Sequence, residues 1–142
     1  MLKVNLKQLN PNAIIPKYAM EGDAGMDLTA VDYAFNNKNI VTYQTGIAIE
    51  IPKGYVGLIF PRSSVSNYDL AMTNCVGVID SGYRGELMVK FRLTTTSYES
   101  TIYKKGDRIA QLVIIPYPKI EFNVVDELTS SNRMEGGFGS TN

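Results

Sequence analysis

The stretch Gly77-Val78-Ile79-Asp80-Ser81-Gly82-Tyr83-Arg84-Gly85-Glu86 sets a carboxylate, a phenol and a guanidinium side by side. An apolar run ends at Asp80, a glycine-containing turn follows, and alternation resumes at Leu87. This pattern predicts a β-hairpin with an acid at one shoulder and a tyrosine at the tip. A lone turn aspartate commonly bonds its own backbone. Asp80, Tyr83 and Arg84 clustered in one turn point beyond that role. Pro61-Arg62-Ser63-Ser64 closes a dense apolar run and opens a short helical segment. Unsatisfied N–H groups, two hydroxyls and a guanidinium suit one anion, phosphate above all. Helix capping would account for one serine but leaves Arg62 unexplained. The C-terminal run Arg133-Met134-Glu135-Gly136-Gly137-Phe138-Gly139-Ser140-Thr141-Asn142 offers an arginine, an aromatic ring, two hydroxyls and flexible glycines. An arm of that kind can close over a nucleotide, the ring stacking on a base while Arg and Ser/Thr hold phosphate. Ala24-Gly25-Met26-Asp27-Leu28 and Gly106-Asp107-Arg108-Ile109-Ala110-Gln111-Leu112 are blander, each explicable as a turn beside a strand.

Composition narrows the chemistry. The chain has 142 residues, no histidine, no tryptophan and one cysteine, Cys75. A Ser-His-Asp triad, a Cys-His dyad and a Cys/His zinc site are therefore excluded within it. Any metal used should be a hard, oxygen-seeking ion such as Mg²⁺. Fourteen basic residues balance fourteen acidic ones. That balance argues against a broad nucleic-acid-binding face, while leaving room for a local anion pocket. No apolar run approaches a membrane span, and the N-terminus has no signal core. A lone thiol goes with a cytoplasmic protein. No Gly-Lys-Ser/Thr occurs, and the single G-x-G at Gly137 and Gly139 lacks a third glycine, so neither phosphate-loop fold is implied.

The elements that must hold these groups read as strands. Ile47, Ile49 and Ile51 alternate with Ala48 and Glu50; Leu87, Val89, Phe91 and Leu93 alternate with Met88, Lys90 and Arg92. Residues 55–60 and 109–115 are denser and predict strands covered on both faces, and 121–125 is a further strand candidate. Turns are expected at Pro52-Lys53-Gly54, Ser81-Gly82, Lys105-Gly106-Asp107 and between Pro116 and Pro118. The one helical candidate, 63–70, is short. Many short strands with regular turns predict an all-β sandwich, jelly roll or barrel. Residues 1–130 read as one domain and 131–142 as a flexible arm.

The five segments, in order, resemble the five motifs of the trimeric dUTPase family (deoxyuridine triphosphate nucleotidohydrolases): AGMDL at 24–28, PRSS at 61–64, GVIDSGYRGE at 77–86, GDRIAQL at 106–112 and RMEGGFGSTN at 133–142. The resemblance spans essentially the whole chain, and the third and fifth motifs are the most specific. It implies an all-β, jelly-roll-like (β-clip) fold with at most one short helix, assembled as a homotrimer with shared active sites. It also implies Mg²⁺-assisted hydrolysis of dUTP to dUMP and pyrophosphate by water attack on the α-phosphorus. By that resemblance Asp80 activates the water and Gln111 lies near it. Asn74 and the backbone at Gly77 and Val78 hold uracil, and Tyr83 packs on deoxyribose and excludes a ribose. Arg62, Ser63 and Ser64 bind phosphate, and Asp27 reaches Mg²⁺ through water. In the arm, Arg133 meets the γ-phosphate, Phe138 stacks on uracil with Gly139 beside it, and Ser140 and Thr141 contact phosphate. Met26, Val65, Ser66 and Met134 depart from the usual pattern but remove no reacting group. Alternatives are a dCTP deaminase-related enzyme, which usually has tryptophan near the Tyr83 position, and a nucleotide-gated partner of a regulatory protein. No partnership with nucleic acid or membrane is expected. A cytoplasmic location is expected, the host's if the chain is phage-encoded.

Overall fold

The computed structural model describes residues 1–36, 39–96, 99–132 and 135. Among these, ten strands and one five-residue 3-10 helix form. β1 (Asn5–Gln8) pairs with β5 (Ile47–Glu50) in a small ribbon. One four-stranded sheet runs β2 (Met26–Thr29), β10 (Arg108–Pro116), β6 (Tyr55–Pro61), β8 (Gly77–Ile79). The other runs β3 (Asp32–Phe35), β4 (Ile40–Gln44), β9 (Met88–Leu93), β7 (Leu70–Met72). Every pairing is antiparallel. The result is the jelly-roll-like all-β fold expected from the strand pattern.

Alternation decides which residues meet between the sheets. On β9, Val89 and Phe91 are buried while Met88, Lys90 and Arg92 face solvent. Leu28, Val41, Ile47, Ile59, Leu87, Ile109 and Leu112 join them in one core. Burying each such side chain stabilises the fold by roughly 1.5–3 kcal/mol. The strand β5 is less regular than its sequence suggests, because Ala48 is buried along with Ile47 and Ile49. An aromatic nest fills the middle. Tyr43 meets Phe91 edge-on at 5.8 Å and Tyr103 at 6.0 Å, and the Tyr43 hydroxyl donates to the Tyr103 carbonyl at 3.1 Å. Burial pushes the Tyr43 phenol well above the ordinary tyrosine value, helped by the neighbouring Tyr33 and opposed by that hydrogen bond. An unfolded chain would then release the Tyr43 proton near 10.0 while the folded one keeps it. This contribution to stability is intact below that pH and is lost as pH rises above it. Denaturant melts at about pH 8 and about pH 11 should show a smaller alkaline loss in Tyr43→Phe than in the parent protein. Equal losses would mean another group governs alkaline unfolding.

Several sequence expectations change. The stretch 77–86 is not a ladder hairpin: β8 pairs with β6, and β9 pairs with β4 and β7. The turn therefore carries the chain from one sheet to the other, a partner choice that alternation cannot reveal. The helix covers Ser63–Asn67 rather than reaching residue 70, and Leu70 is already in β7. Residues 121–125 form no strand, and Phe122 and Val124 stand exposed because no ladder partner lies beside them. On β6 and β10 one face is only half covered, with Val56, Leu58, Phe60 and Val113 partly exposed. The turns expected at Pro52-Lys53-Gly54, Ser81-Gly82 and Lys105-Gly106-Asp107 form, but none forms between Pro116 and Pro118, where β10 runs to Pro116 and the Tyr117 N–H still donates to the Gly54 carbonyl. Gly106 has φ +89°, a left-handed conformation open to glycine, and the Asp107 N–H donates to the Lys104 carbonyl at 3.0 Å to close it.

Candidate active site

A cavity of about 420 Å³ is lined by Thr73, Asn74, Val78, Asp80, Tyr83 and Lys90, among others. It gathers four of the residues that the motifs single out for the nucleoside and the water. Gly77 lies beneath Asn74: a Cβ there would stand 3.4 Å from the Asn74 amide nitrogen and 3.3 Å from Ile59 Cβ. Glycine at this position lets β8 press close under Asn74 without displacing Ile59. Asn74 sits in the turn between β7 and β8, where Cys75 adopts φ 55°. Tyr83 is half exposed, and its hydroxyl donates to the Glu86 carbonyl at 3.1 Å. The Tyr83 N–H donates to the Asp80 carbonyl at 3.0 Å, closing the turn that presents the carboxylate.

A second group lies at the far end of the same sheet. Asp27 on β2 stands opposite Gln111 on β10, which stands opposite Phe60 on β6. Gly25 lets β2 approach: a Cβ there would be 3.4 Å from Gln111 Cβ. Arg62 follows β6 directly, and its Nε–H donates to Asp27 Oδ1 at 2.8 Å while Nη1 donates to the Ser64 hydroxyl at 3.2 Å. Arg108 donates from Nη1 to Asp27 Oδ2 at 3.0 Å. The Asp27 side chain is only 16% exposed, so this double ion pair is better shielded than a typical surface pair. Arg62, and not a serine, occupies the N-cap, and no side chain caps the helix. Ser63 is exposed, and its carbonyl accepts from the Ser66 hydroxyl at 3.0 Å. Two guanidiniums, two hydroxyls and an amide are a donor set for phosphate oxygens. Arg108 has no role in the motif reading, although a charge opening an apolar strand was a usable signal.

The two groups do not meet within one chain. Ile79 stands opposite Gly57, and Asp80 also borders Tyr55 and Val56, whereas Arg62 follows Pro61 at the other end of β6. From Val56 to Arg62 is about 20 Å, at about 3.3 Å per residue. Gln111 lies opposite Phe60, about 13 Å along β6 from Val56 and on the far side of it from β8. The sequence reading grouped Asp80 with Gln111, and one protomer keeps them apart. Arg133, Phe138, Gly139, Ser140 and Thr141 lie outside the described residues.

The donor set bears on Mg²⁺. Among the described residues no three metal-ligating side chains cluster. Both Asp27 oxygens are already taken by guanidiniums. Mg²⁺ typically keeps several waters and takes its other ligands from substrate phosphates and one or two carboxylates. Asp27 therefore fits a hydrated ion brought in on a triphosphate, touched through water, and does not fit a resident cage.

A two-sheet β fold with a cavity beside the Asp80 turn and a separate cluster of donors suited to phosphate has the features of a nucleotide-binding β protein. Comparison with known proteins makes the assignment specific. The dUTPase family model matches residues 11–142. The deoxyuridine 5'-triphosphate nucleotidohydrolase of Thermobifida fusca (strain YX) is 44% identical over 142 residues, covering 99% of this chain and 79% of that protein. Its counterpart from Hydrogenobaculum sp. (strain Y04AAS1) is 41% identical over 143 residues, covering 99% and 98%. Among solved structures, the Staphylococcus bacteriophage 80alpha dUTPase with dUPNHPP superposes with a TM-score of 0.82 at 32% identity, covering 100% of this chain and 99% of that one. That work describes phage dUTPases as controlling transfer of virulence genes by a G protein-like mechanism. A dUTPase mutant from phage phi11 of S. aureus, described with a structural Mg(II) ion, has a TM-score of 0.74 at 28% identity, covering 89% of this chain and 98% of that one. The chain belongs to the dUTPase family.

Proposed function

We propose that this protein is a dUTP diphosphatase, releasing dUMP and pyrophosphate, and that it works as a homotrimer whose active sites are shared between protomers. By cleaving dUTP it keeps uracil out of DNA and supplies dUMP for dTMP synthesis. The observation that carries the reading is the division of the family's residues between two ends of β6. Asp80, with Tyr83 in the same turn, stands by the Tyr55–Val56 end, Val78 and Gly77 run back along β6 opposite Leu58 and Ile59 towards Asn74, and Asp27, Arg62, Ser63, Ser64 and Gln111 gather at the Pro61 end. A general base must come within about 3 Å of the water it activates, or act through one water. A gap of about 20 Å between Asp80 and Arg62 is far beyond that reach and beyond a triphosphate. The Asp80 end of one copy facing the Pro61 end of the next supplies both halves. Exposed Ile120, Phe122, Val124 and Leu128, between 72% and 94% exposed on the protomer, supply apolar surface for such a neighbour to cover.

In the assembled site Asn74 and the Gly77–Val78 backbone read uracil, and the Tyr83 ring stands against the sugar. Arg62, Ser63 and Ser64 from the neighbour hold phosphate, and Gln111 is a polar contact beside the attacking water. Asp80 takes the proton from that water as its oxygen attacks the α-phosphorus in line with the departing pyrophosphate. Asp27 would hold, through water, a Mg²⁺ arriving with the triphosphate, and the ion would supply charge neutralisation there. Triphosphate oxygens compete with Asp27 for the Arg62 and Arg108 donors, so binding exchanges an internal ion pair for one to substrate. Residues 131–142 act as the arm over the nucleotide, with Arg133, Phe138, Gly139, Ser140 and Thr141 as its contacts. A cytoplasmic location goes with this reading, because the deoxynucleotide pool is there. Likeness to the 80alpha dUTPase supports a second reading, in which the nucleotide-bound protein also engages a regulatory protein. The named relatives lend no support to a deaminase.

Pyrophosphate release measured across dUTP, dTTP, dCTP and UTP with Mg²⁺ should show turnover of dUTP alone. Ending the chain at residue 132 should leave the assembly intact and silence that turnover. Equal turnover of dTTP or UTP would overturn the proposed substrate, and a fully active truncated chain would overturn the arm.

A further inference from the structure

The Tyr83 ring is held from two sides by residues with no assigned role. At Gly85 a Cβ would stand 2.6 Å from Tyr83 Cζ and 3.0 Å from its Cε2, so the ring occupies the space a side chain would need. The Tyr83 hydroxyl donates to the Glu86 carbonyl at 3.1 Å. The Glu86 carboxylate in turn accepts the Gly46 N–H through Oε1 at 2.7 Å. Gly46 lies in the turn between β4 and β5, and two further bonds tie that turn to the same shoulder. The buried Thr45 hydroxyl donates to the Leu87 carbonyl at 2.6 Å, and the Leu87 N–H donates to the Ile47 carbonyl at 2.9 Å. The ring is thereby referenced to core strands and not left to a mobile loop.

We propose that Gly85 and Glu86 are positioning residues for sugar selection, holding the Tyr83 ring at the distance that admits a 2′-hydrogen and refuses a 2′-hydroxyl. This rests on the reading that Tyr83 faces the deoxyribose. Gly85 sets how far the ring can settle back, and Glu86 anchors it as a hydrogen-bond acceptor for Gly46. Sub-ångström placement matters because discrimination against one added hydroxyl comes from crowding alone. Gly85 does not line the nucleoside cavity, whereas Glu86 does, so Glu86→Gln, which keeps the acceptor for Gly46, tests the anchoring role.

The test compares binding of dUMP and UMP by titration calorimetry, alongside kcat/KM for dUTP and UTP. The proteins are the parent, Gly85→Ala, Glu86→Ala and Glu86→Gln, each checked for assembly. Gly85→Ala and Glu86→Ala should lose about tenfold or more of the deoxyribose preference in both measurements. Glu86→Gln keeps an acceptor for the Gly46 N–H and should stay close to the parent. A general loss of folding would lower both nucleotides together and leave their ratio unchanged. Preference that survives in both alanine variants would overturn the proposal, as would Glu86→Gln losing as much as Glu86→Ala. If Gly85→Ala does not assemble, the two Glu86 variants decide the matter. A parent protein that binds dUMP and UMP alike would instead overturn the reading of Tyr83, and the proposal with it.

Discussion

Asp80→Asn should bind dUTP as the parent does and turn it over about 10²–10⁴-fold more slowly, the usual worth of a positioned general base. The substitution keeps the side chain's size and its place on the turn closed by the Tyr83 N–H. It replaces the carboxylate's charge with a neutral amide and so removes the ability to accept a proton. With no histidine in the chain, no imidazole stands by to take over. Nucleotide affinity measured by calorimetry and turnover measured by pyrophosphate release separate the two effects. Near-normal turnover would end the assignment of Asp80 as base. Weakened binding with proportionally weakened turnover would make Asp80 a substrate-holding residue instead.

Two inactive variants should restore each other. Asp80→Asn damages one end of β6 and Arg62→Ala the other, about 20 Å apart on one chain. In the proposed closed ring of three, each site takes Asp80 from one copy and Arg62 from the next. Random remixing of equal amounts makes three quarters of the trimers mixed, and each mixed trimer holds one site with both groups intact. About one quarter of all sites should then be active, against a near-zero background for either variant alone. Unfolding and refolding the variants together, followed by pyrophosphate release, reads this directly. Failure to recover activity, with mixed trimers demonstrated by mass spectrometry of tagged chains, would place both groups in one protomer's site and contradict the shared arrangement.

Much of the fold was readable because burial imposes a period. Leu87, Val89 and Phe91 alternate for the reason that β9 has one wet face, and Lys105-Gly106-Asp107 announces a turn because Gly106 must be left-handed. Pairing was not readable. Nothing in 77–86 says that β8 joins β6 while β9 joins β4, since alternation names a face and never a neighbour. β1 was missed because Asn5, Lys7 and Gln8 give it little apolar pattern. The apolar alternation of Ile120, Phe122 and Val124 looks like a strand, yet among the described residues no strand lies beside it and these side chains stand exposed. The site divides in the same way. Motif order proposes the residues, but the length of β6, which separates Asp80 from Gln111 and Arg62, is a distance and needs three dimensions. Gly85, Glu86 and Arg108 were invisible as functional residues because their parts are contacts: a ring against a backbone, a carboxylate on an amide, a second guanidinium on Asp27.

Cys75 is exposed, sits one residue from Asn74 in the turn that borders the nucleoside cavity, and has no second thiol in the chain to compete with it. A maleimide dye would therefore attach at a single known point on the rim of the cavity, without any engineered cysteine. The protein carries its own address for an optical probe, through which the arrival of a nucleotide can be timed one event at a time.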